Sequence, residues 1–327
     1  MTATLELEGI SVGHFTDHAG GTGCTVVLAP EGVTTSVDIR GGAPGTLETA
    51  LLSPYASVGL IHAIMLTGGS APGMGAAAGV TSFLQERGVG HPTPYARVPL
   101  VAAGVIYDLG VGTASGCPKP EDAYRACSQA EAAAPRVEEG SVGVGTGATV
   151  GKILGAAGWM KGGLALATVV VGGDVKVGAL SVVNALGDVL DARGEILVGA
   201  RRYGGFVNSH QLLMKMTTSP AFNAMESTTL SVVMTDAKLD KLQCSIVARM
   251  SHDGFARAIC PVHTPVDGDC IFVMATGKKP SNVFQIGAAA AEAVATSIRR
   301  AVRLGEGCEG IPSFADLRHE AGPPVEP

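Results

Sequence analysis

Forty-six glycines punctuate this chain of 327 residues, and twelve of them cluster in three blocks rather than in one linker: DIRGGAPGT (38–46), LTGGSAPGMGAAAG (66–79) and SVGVGTGATVGK (141–152). Glycine in such blocks permits positive φ at strand-to-helix turns or the close approach of two backbones. Around the blocks, CTVVLAP, TTSVDIR, AIMLTGG, LATVVVG and GALSVVNALGDVL read as short apolar or alternating strands. SAPGMGAAAGVTSFLQERG and KPEDAYRACSQAEAAA read as helices with small-residue faces. The chain is therefore mixed α and β, with no repeat of solenoid length. It is long enough for one large α/β domain or two ordinary ones.

Charge excludes some partners. The net charge is −6, and the basic runs stop at the doublets Arg201-Arg202, Lys278-Lys279 and Arg299-Arg300. Nucleic acid and anionic membrane are poor partners for such a surface. The start MTATLELEGI lacks a positive segment before an apolar one, and stretches such as LALATVVVGG are too short to span a bilayer. The expectation is a soluble cytoplasmic protein. Seven cysteines, an odd number without any C-x-x-C pair, argue against a disulfide framework and a zinc ribbon, and most are expected to be small buried apolar residues.

Several familiar motifs fail on inspection. GTGATVGKI has Thr146 where a phosphate loop needs its first glycine and Ile153 where it needs Ser or Thr. A dinucleotide fingerprint begun at Gly145 meets Val150 in place of its third glycine. GGSAPG has Pro72 where a nucleophile elbow needs glycine. His14 and His18 lie four apart, but SVGHFTDHAGG has no helical pattern and no third ligand, so a surface turn is expected. His263, between prolines, is expected to order its loop rather than act as a base. Asp267 and Asp269, separated only by Gly268, are a closer pair than two unpartnered carboxylates would make, and would either coordinate a cation or orient donors. No metal set is identified and no cofactor is expected.

The stretch FNAMESTTLSVVMTDA (222–237) puts hydroxyls directly in front of an apolar run. One reading is an ST-turn leading into a strand; the other is a nucleophile held at a strand end. Upstream, GARRYGGFVNSHQLLMKMTTSPAFNAMES (199–227) lacks clean periodicity and is expected to be a long exposed connection. Downstream, Leu239, Leu242, Ile246, Val247 and Met250 fall at helical spacing, CIFVMATG is a strand and NVFQIGAAAAEAVATSIRRAVRL a long helix, so the last hundred residues form a β-α-β-α unit.

STTLSVVMTDA, SHDGFARAICPVHTPVDGDCIFVMATG, DIRGGAPGT, LTGGSAPGM, GVIYDLGVG, GTGATVGK and SVVNALGDV, in this family's order over nearly the whole chain, resemble the self-processing L-aminopeptidase/D-esterase family. That family includes the 6-aminohexanoate (nylon) oligomer hydrolases. The resemblance implies a single αββα sandwich over residues 1–327, like that of amino-terminal nucleophile hydrolases and related to ornithine acetyltransferase. It implies a chain that cuts itself into a large subunit, 1–227, and a small one, 228–327. Carried over by position, the nucleophile lies seven residues before Thr235 and is Thr228. Cleavage between Ser227 and Thr228 would free an α-amine to serve as base for the neighbouring hydroxyl. Asp267 and Asp269 would hold the nucleophile's rotamer, and Asn184 would donate to the tetrahedral oxyanion. Tyr107 matches a residue near the nucleophile, and Lys152 a lysine implicated in processing and catalysis. Taken singly these have plainer readings: Tyr107 as a half-buried strand aromatic, Lys152 as a solvated lysine at a helix start, Asn184 as a turn former.

In one departure, Ser227 stands where relatives usually have Asn or Gly, which makes it a second candidate that could attack after Glu226. The implied substrates are small peptides or amino-acid amides, with 6-aminohexanoate oligomer hydrolysis or acyl transfer as alternatives. A non-catalytic binding protein on the same scaffold would be expected to lose the nucleophile. A homotetramer or larger assembly is implied.

Overall fold

The computed structural model describes residues 1–113, 116–217, 226–308 and 310–320, the last three without their side chains. Nine strands form one hydrogen-bonded path: β1 Ser11–Asp17, β2 Thr22–Ile39, β3 Thr46–Leu47, β4 Leu60–Thr67, β5 Val101–Val105, β6 Gly163–Val171, β7 Val175–Asn184, β8 Thr228–Ala237 and β9 Cys270–Lys279. Their order is β6-β7-β8-β9-β2-β4-β5-β3, with β1 beside β2. The helices that cover them are α1 Ala77–Glu86, α2 Pro120–Ala133, α3 Lys241–Ala258 and α4 Val283–Leu304.

The path folds into two layers because β2 belongs to both. Its first half pairs with β1 and β4, and its second half, from Thr34 to Ile39, pairs with β9. CTVVLAP and TTSVDIR, read as two strands from sequence, are thus one. Pro30-Glu31-Gly32 carries turn chemistry, yet Gly32 at φ +79 makes a register shift between Leu28 and Val33 and pairing resumes beyond it.

Alternation along the strands builds three apolar layers. Val177, Val233, Ile271 and Val273 face α3 and α4, meeting Phe255 and Val294. Ile64, Leu66, Leu180, Leu230, Val232, Phe272 and Met274 fill the space between the two sheets. Val26, Ala63 and Met65 meet Val80, Phe83 and Cys127 of α1 and α2. Each Leu, Ile, Val or Phe so buried contributes about 1.5–3 kcal/mol. The result is the expected αββα sandwich. β8 lies inside it, antiparallel to β7, parallel to β9 and buried at every residue, with Leu230, Val232 and Met234 between the sheets and Thr229, Ser231, Val233 and Thr235 on the opposite face.

Local readings needed correction in three places. The connection 199–227 contains a hairpin, Arg201–Arg202 with Gly205–Phe206, and a helix, Ser209–Lys215, capped by Asn208 whose Oδ1 accepts the Gln211 N–H at 2.9 Å. Residues 218–225 lie outside the described residues. His14 is not on a surface turn but buried in β1, its Nδ1 3.0 Å from Thr25 Oγ1, while His18 is exposed. Leu242, counted on the apolar face of α3, is exposed. Cys24, Cys127, Cys244 and Cys270 are buried as expected, and Cys117, Cys260 and Cys308 only partly. Among the described residues no helix is long and apolar enough to cross a membrane.

Candidate active site

Thr228 begins β8 opposite Asn184, the last residue of β7. The residue before it is pinned from the other side. Ser227 donates its N–H to Val266 O (3.1 Å), and its carbonyl accepts the Gly268 N–H (2.8 Å). The same carbonyl accepts the Thr228 hydroxyl at 2.6 Å. The Ser227–Thr228 peptide is buried, and its oxygen is held by two donors, the Gly268 N–H and the Thr228 hydroxyl.

The three glycine blocks converge here. Residues 40–43 wrap the Asp267–Asp269 loop through backbone bonds alone: Arg40 and Gly41 N–H to Asp269 O, Gly42 N–H to Thr264 O and Ala43 N–H to Asp267 O. Gly69 donates its N–H to Asp108 Oδ1 (2.7 Å), whose other oxygen accepts Thr22 Oγ1 (2.7 Å). From the third block, Thr149 N–H and Lys152 Nζ both donate to Asn184 Oδ1, at 3.0 and 2.7 Å. Asn184 Nδ2 donates to Tyr107 O at 3.0 Å, so Tyr107 meets the site through its backbone and by lining the cavity in front of Thr228.

Lys152 is 2 % exposed, the reverse of a solvated lysine at a helix start. Burial pushes its ammonium down to about 7, partly opposed by Asp267 and Asp108. Burial, and then the neighbouring Asp269, pushes the Asp267 carboxyl up to about 6. Burial likewise raises Asp108. Asp267 Oδ2 accepts the Thr264 N–H and hydroxyl. Asp269 Oδ1 accepts the Thr229 N–H at 2.8 Å, and its Oδ2 faces His263. The Asp269 carboxylate thus holds the backbone just after Thr228, while that of Asp267 ties its own loop together through Thr264.

Sequence reasoning passed over Asp108, Thr149 and Thr264. Only Asp108, a charge directly after the apolar run VAAGVIY, carried a usable signal. The cavity at Thr228 measures about 210 Å³ and is lined by Pro44, Ser70, Val105, Tyr107, Glu226 and Val266, among others. A larger one, about 630 Å³, opens between Trp159 and the hairpin bearing Arg201 and Tyr203. None of the expected site residues lines it, whereas Tyr107, Ser227 and Thr228 line the smaller cavity, which is the candidate site.

Known proteins resemble this chain in sequence and in fold. The profile of peptidase family S58 matches residues 3–313. An uncharacterized aminopeptidase of Mycobacterium tuberculosis is 38% identical, covering 97% of this chain and 98% of the relative. A 6-aminohexanoate-oligomer endohydrolase of Paenarthrobacter ureafaciens is 31% identical over 83% of this chain and 74% of its own length. In fold, a Burkholderia sp. beta-aminopeptidase superposes with a TM-score of 0.69 at 20% identity, covering 97% of this chain and 93% of that one. The L-aminopeptidase D-Ala-esterase/amidase of Ochrobactrum anthropi, described as a variant of the Ntn hydrolase fold, gives 0.69 at 17% identity, with coverage of 97% and 93%. With the family profile spanning almost the whole chain and a relative of 38% identity matching end to end, the chain belongs to peptidase family S58 and is a hydrolase of amide bonds.

Proposed function

We propose that the chain is an autoproteolytic amidohydrolase whose nucleophile is Thr228. The observation that carries this reading is the Ser227 carbonyl, which accepts the Gly268 N–H and lies against the Thr228 hydroxyl. In processing, Thr228 Oγ1 adds to the Ser227 carbonyl carbon while the Gly268 N–H stabilises the oxyanion. The C–N bond then breaks, its nitrogen takes up the hydroxyl proton, and an ester joins Ser227 to Oγ1. Water hydrolyses the ester, leaving a large subunit ending at Ser227 and a small one starting at Thr228.

In turnover the freed α-amine takes the proton of its own hydroxyl as Oγ1 attacks the substrate carbonyl, and the acyl-enzyme is hydrolysed by water. Asn184 keeps one amide proton on Tyr107 O and offers the other to the oxyanion. Lys152, buried and bonded to Asn184 Oδ1, is read as the group that moves a proton in processing. The small, mostly apolar cavity suits a short peptide or amino-acid amide, and its aliphatic lining is compatible with a linear 6-aminohexanoate chain. Ornithine supplied as acyl acceptor separates hydrolysis from transfer.

Intact mass and amino-terminal sequencing test the reading: two polypeptides are expected, the smaller beginning at Thr228. A small chain beginning at Ser227 would move the nucleophile by one residue, and a single species after long incubation would remove self-processing.

The pH profiles of processing and turnover supply a second test. Asp267 is read as working ionised, so both activities are expected to fall as pH drops through about 6. Processing has no free amine and is expected to follow Lys152, rising through about 7. Turnover, read with amino-acid p-nitroanilides and 6-aminohexanoate dimer, is expected to add a limb from the α-amine, whose reference pKa is about 7.7–8.0. Superimposable profiles would sink the amine as base.

A further inference from the structure

Behind Asp269 lies a hydrogen-bonded chain that the chemistry above does not use. His263 Nδ1 is 2.9 Å from Asp269 Oδ2, His263 Nε2 is 3.2 Å from His252 Nδ1, and His252 Nε2 is 3.1 Å from Asp38 O, with Asp38 Oδ2 at 3.5 Å. Each contact needs one proton between its atoms, and the protons can be counted from the far end.

Asp38 O and Oδ2 only accept, so His252 Nε2 carries a hydrogen. His252 is fully buried, which pushes it down to about 4 and keeps it neutral at pH 7. Its Nδ1 is then bare and must accept, so His263 Nε2 is the donor. That leaves His263 Nδ1 facing a carboxylate oxygen. Asp269 already accepts the backbone N–H of His263 on Oδ2 (3.1 Å) and that of Thr229 on Oδ1 (2.8 Å), so both of its oxygens are acceptors. The remaining proton belongs on His263 Nδ1.

We propose that His263 is an imidazolium which holds Asp269 as a fixed anion, making it a positioning residue that leaves Asp267 as the carboxyl of the pair whose ionisation the activity follows. The local build fits a cation. His263 adopts φ +56, an unusual conformation for a non-glycine residue, which lets its ring and its N–H reach the same carboxylate oxygen. Its ring also stacks on Phe255, with centroids 5.7 Å apart, an aromatic face that attracts positive charge. The charged groups around it are Asp269 in contact, Asp267 through Thr264, and beyond His252 the ion pair of Asp38 with Arg40. The nearest of these are acidic.

The effect on turnover rests on the proposed reading of Thr228, but the proton count does not, so two measurements separate them. Neutron diffraction from the wild-type protein at pH 7 is expected to show deuterium on both ring nitrogens of His263 and none on Asp269. A bare His263 Nδ1 facing a deuterated Asp269 would overturn the proposal whether or not the enzyme cleaves itself. In His263→Gln the uncompensated Asp269 charge should make Asp267 harder to ionise. The fall in log kcat/KM assigned to Asp267 is then expected to move up by about one pH unit. A residue that only ordered its loop would lower the plateau and leave that limb in place, which would also overturn the proposal.

Discussion

Thr228→Ala is expected to leave one uncut polypeptide and to lower amide hydrolysis by on the order of 10⁵–10⁶, the scale seen when an activated nucleophile is removed. The substitution deletes a hydroxyl and a methyl group at a buried position, and should cost about 1–2 kcal/mol of stability, too little to unfold a domain of this size. Loss of cleavage can therefore be read as loss of chemistry, provided circular dichroism matches that of the parent. The companion substitution Ser227→Ala should cut normally, because the hydroxyl against the Ser227 carbonyl is that of Thr228, which it leaves in place. Two fragments in Thr228→Ala and one in Ser227→Ala would reverse the assignment.

Gly268→Ala is expected to slow processing by at least about a hundredfold, the penalty that a displacement near 1 Å of a reacting group typically brings. A methyl group built on Gly268 would stand 2.6 Å from Thr228 Oγ1 and 2.9 Å from Ala43 O. Neither neighbour can yield cheaply. The Ala43 backbone is tied to Asp267 O by its N–H, and Oγ1 is confined between the Ser227 carbonyl and β8. The loop must shift, and with it the Gly268 N–H that bonds the Ser227 carbonyl. Asp267-Gly268-Asp269 is thus read as a carboxyl pair whose middle residue is restricted by the nucleophile. Quantifying uncut chain over time by denaturing gel decides the matter, and wild-type cleavage would show that the nucleophile does not react from this rotamer.

Much of this protein was legible in its sequence. The apolar runs of β2, β4 and β9, the alternating Leu230, Val232 and Met234 of β8 and the long apolar stripe of α4 are local patterns, and local patterns determine element type. The glycine blocks announced close backbone contact without naming its partner. Only the tertiary structure decided which backbones meet, because the contacts join distant residues: Thr22 to Asp108, Lys152 to Asn184, and residues 40–43 to the Asp267–Asp269 loop. It also decided electrostatics. Periodicity leaves Lys152 a solvated lysine and His263 a loop residue, since neither burial nor a hydrogen-bond partner is a property of neighbours in sequence. Enclosure by β7, the third glycine block and Glu226 makes Lys152 a near-neutral amine. Packing of the Asp267–Asp269 loop against α3 sets His263 between a carboxylate and a buried imidazole. The sequence by itself determined what the elements are and which residue types could react; charge state and mutual aim arose only where remote segments excluded water together.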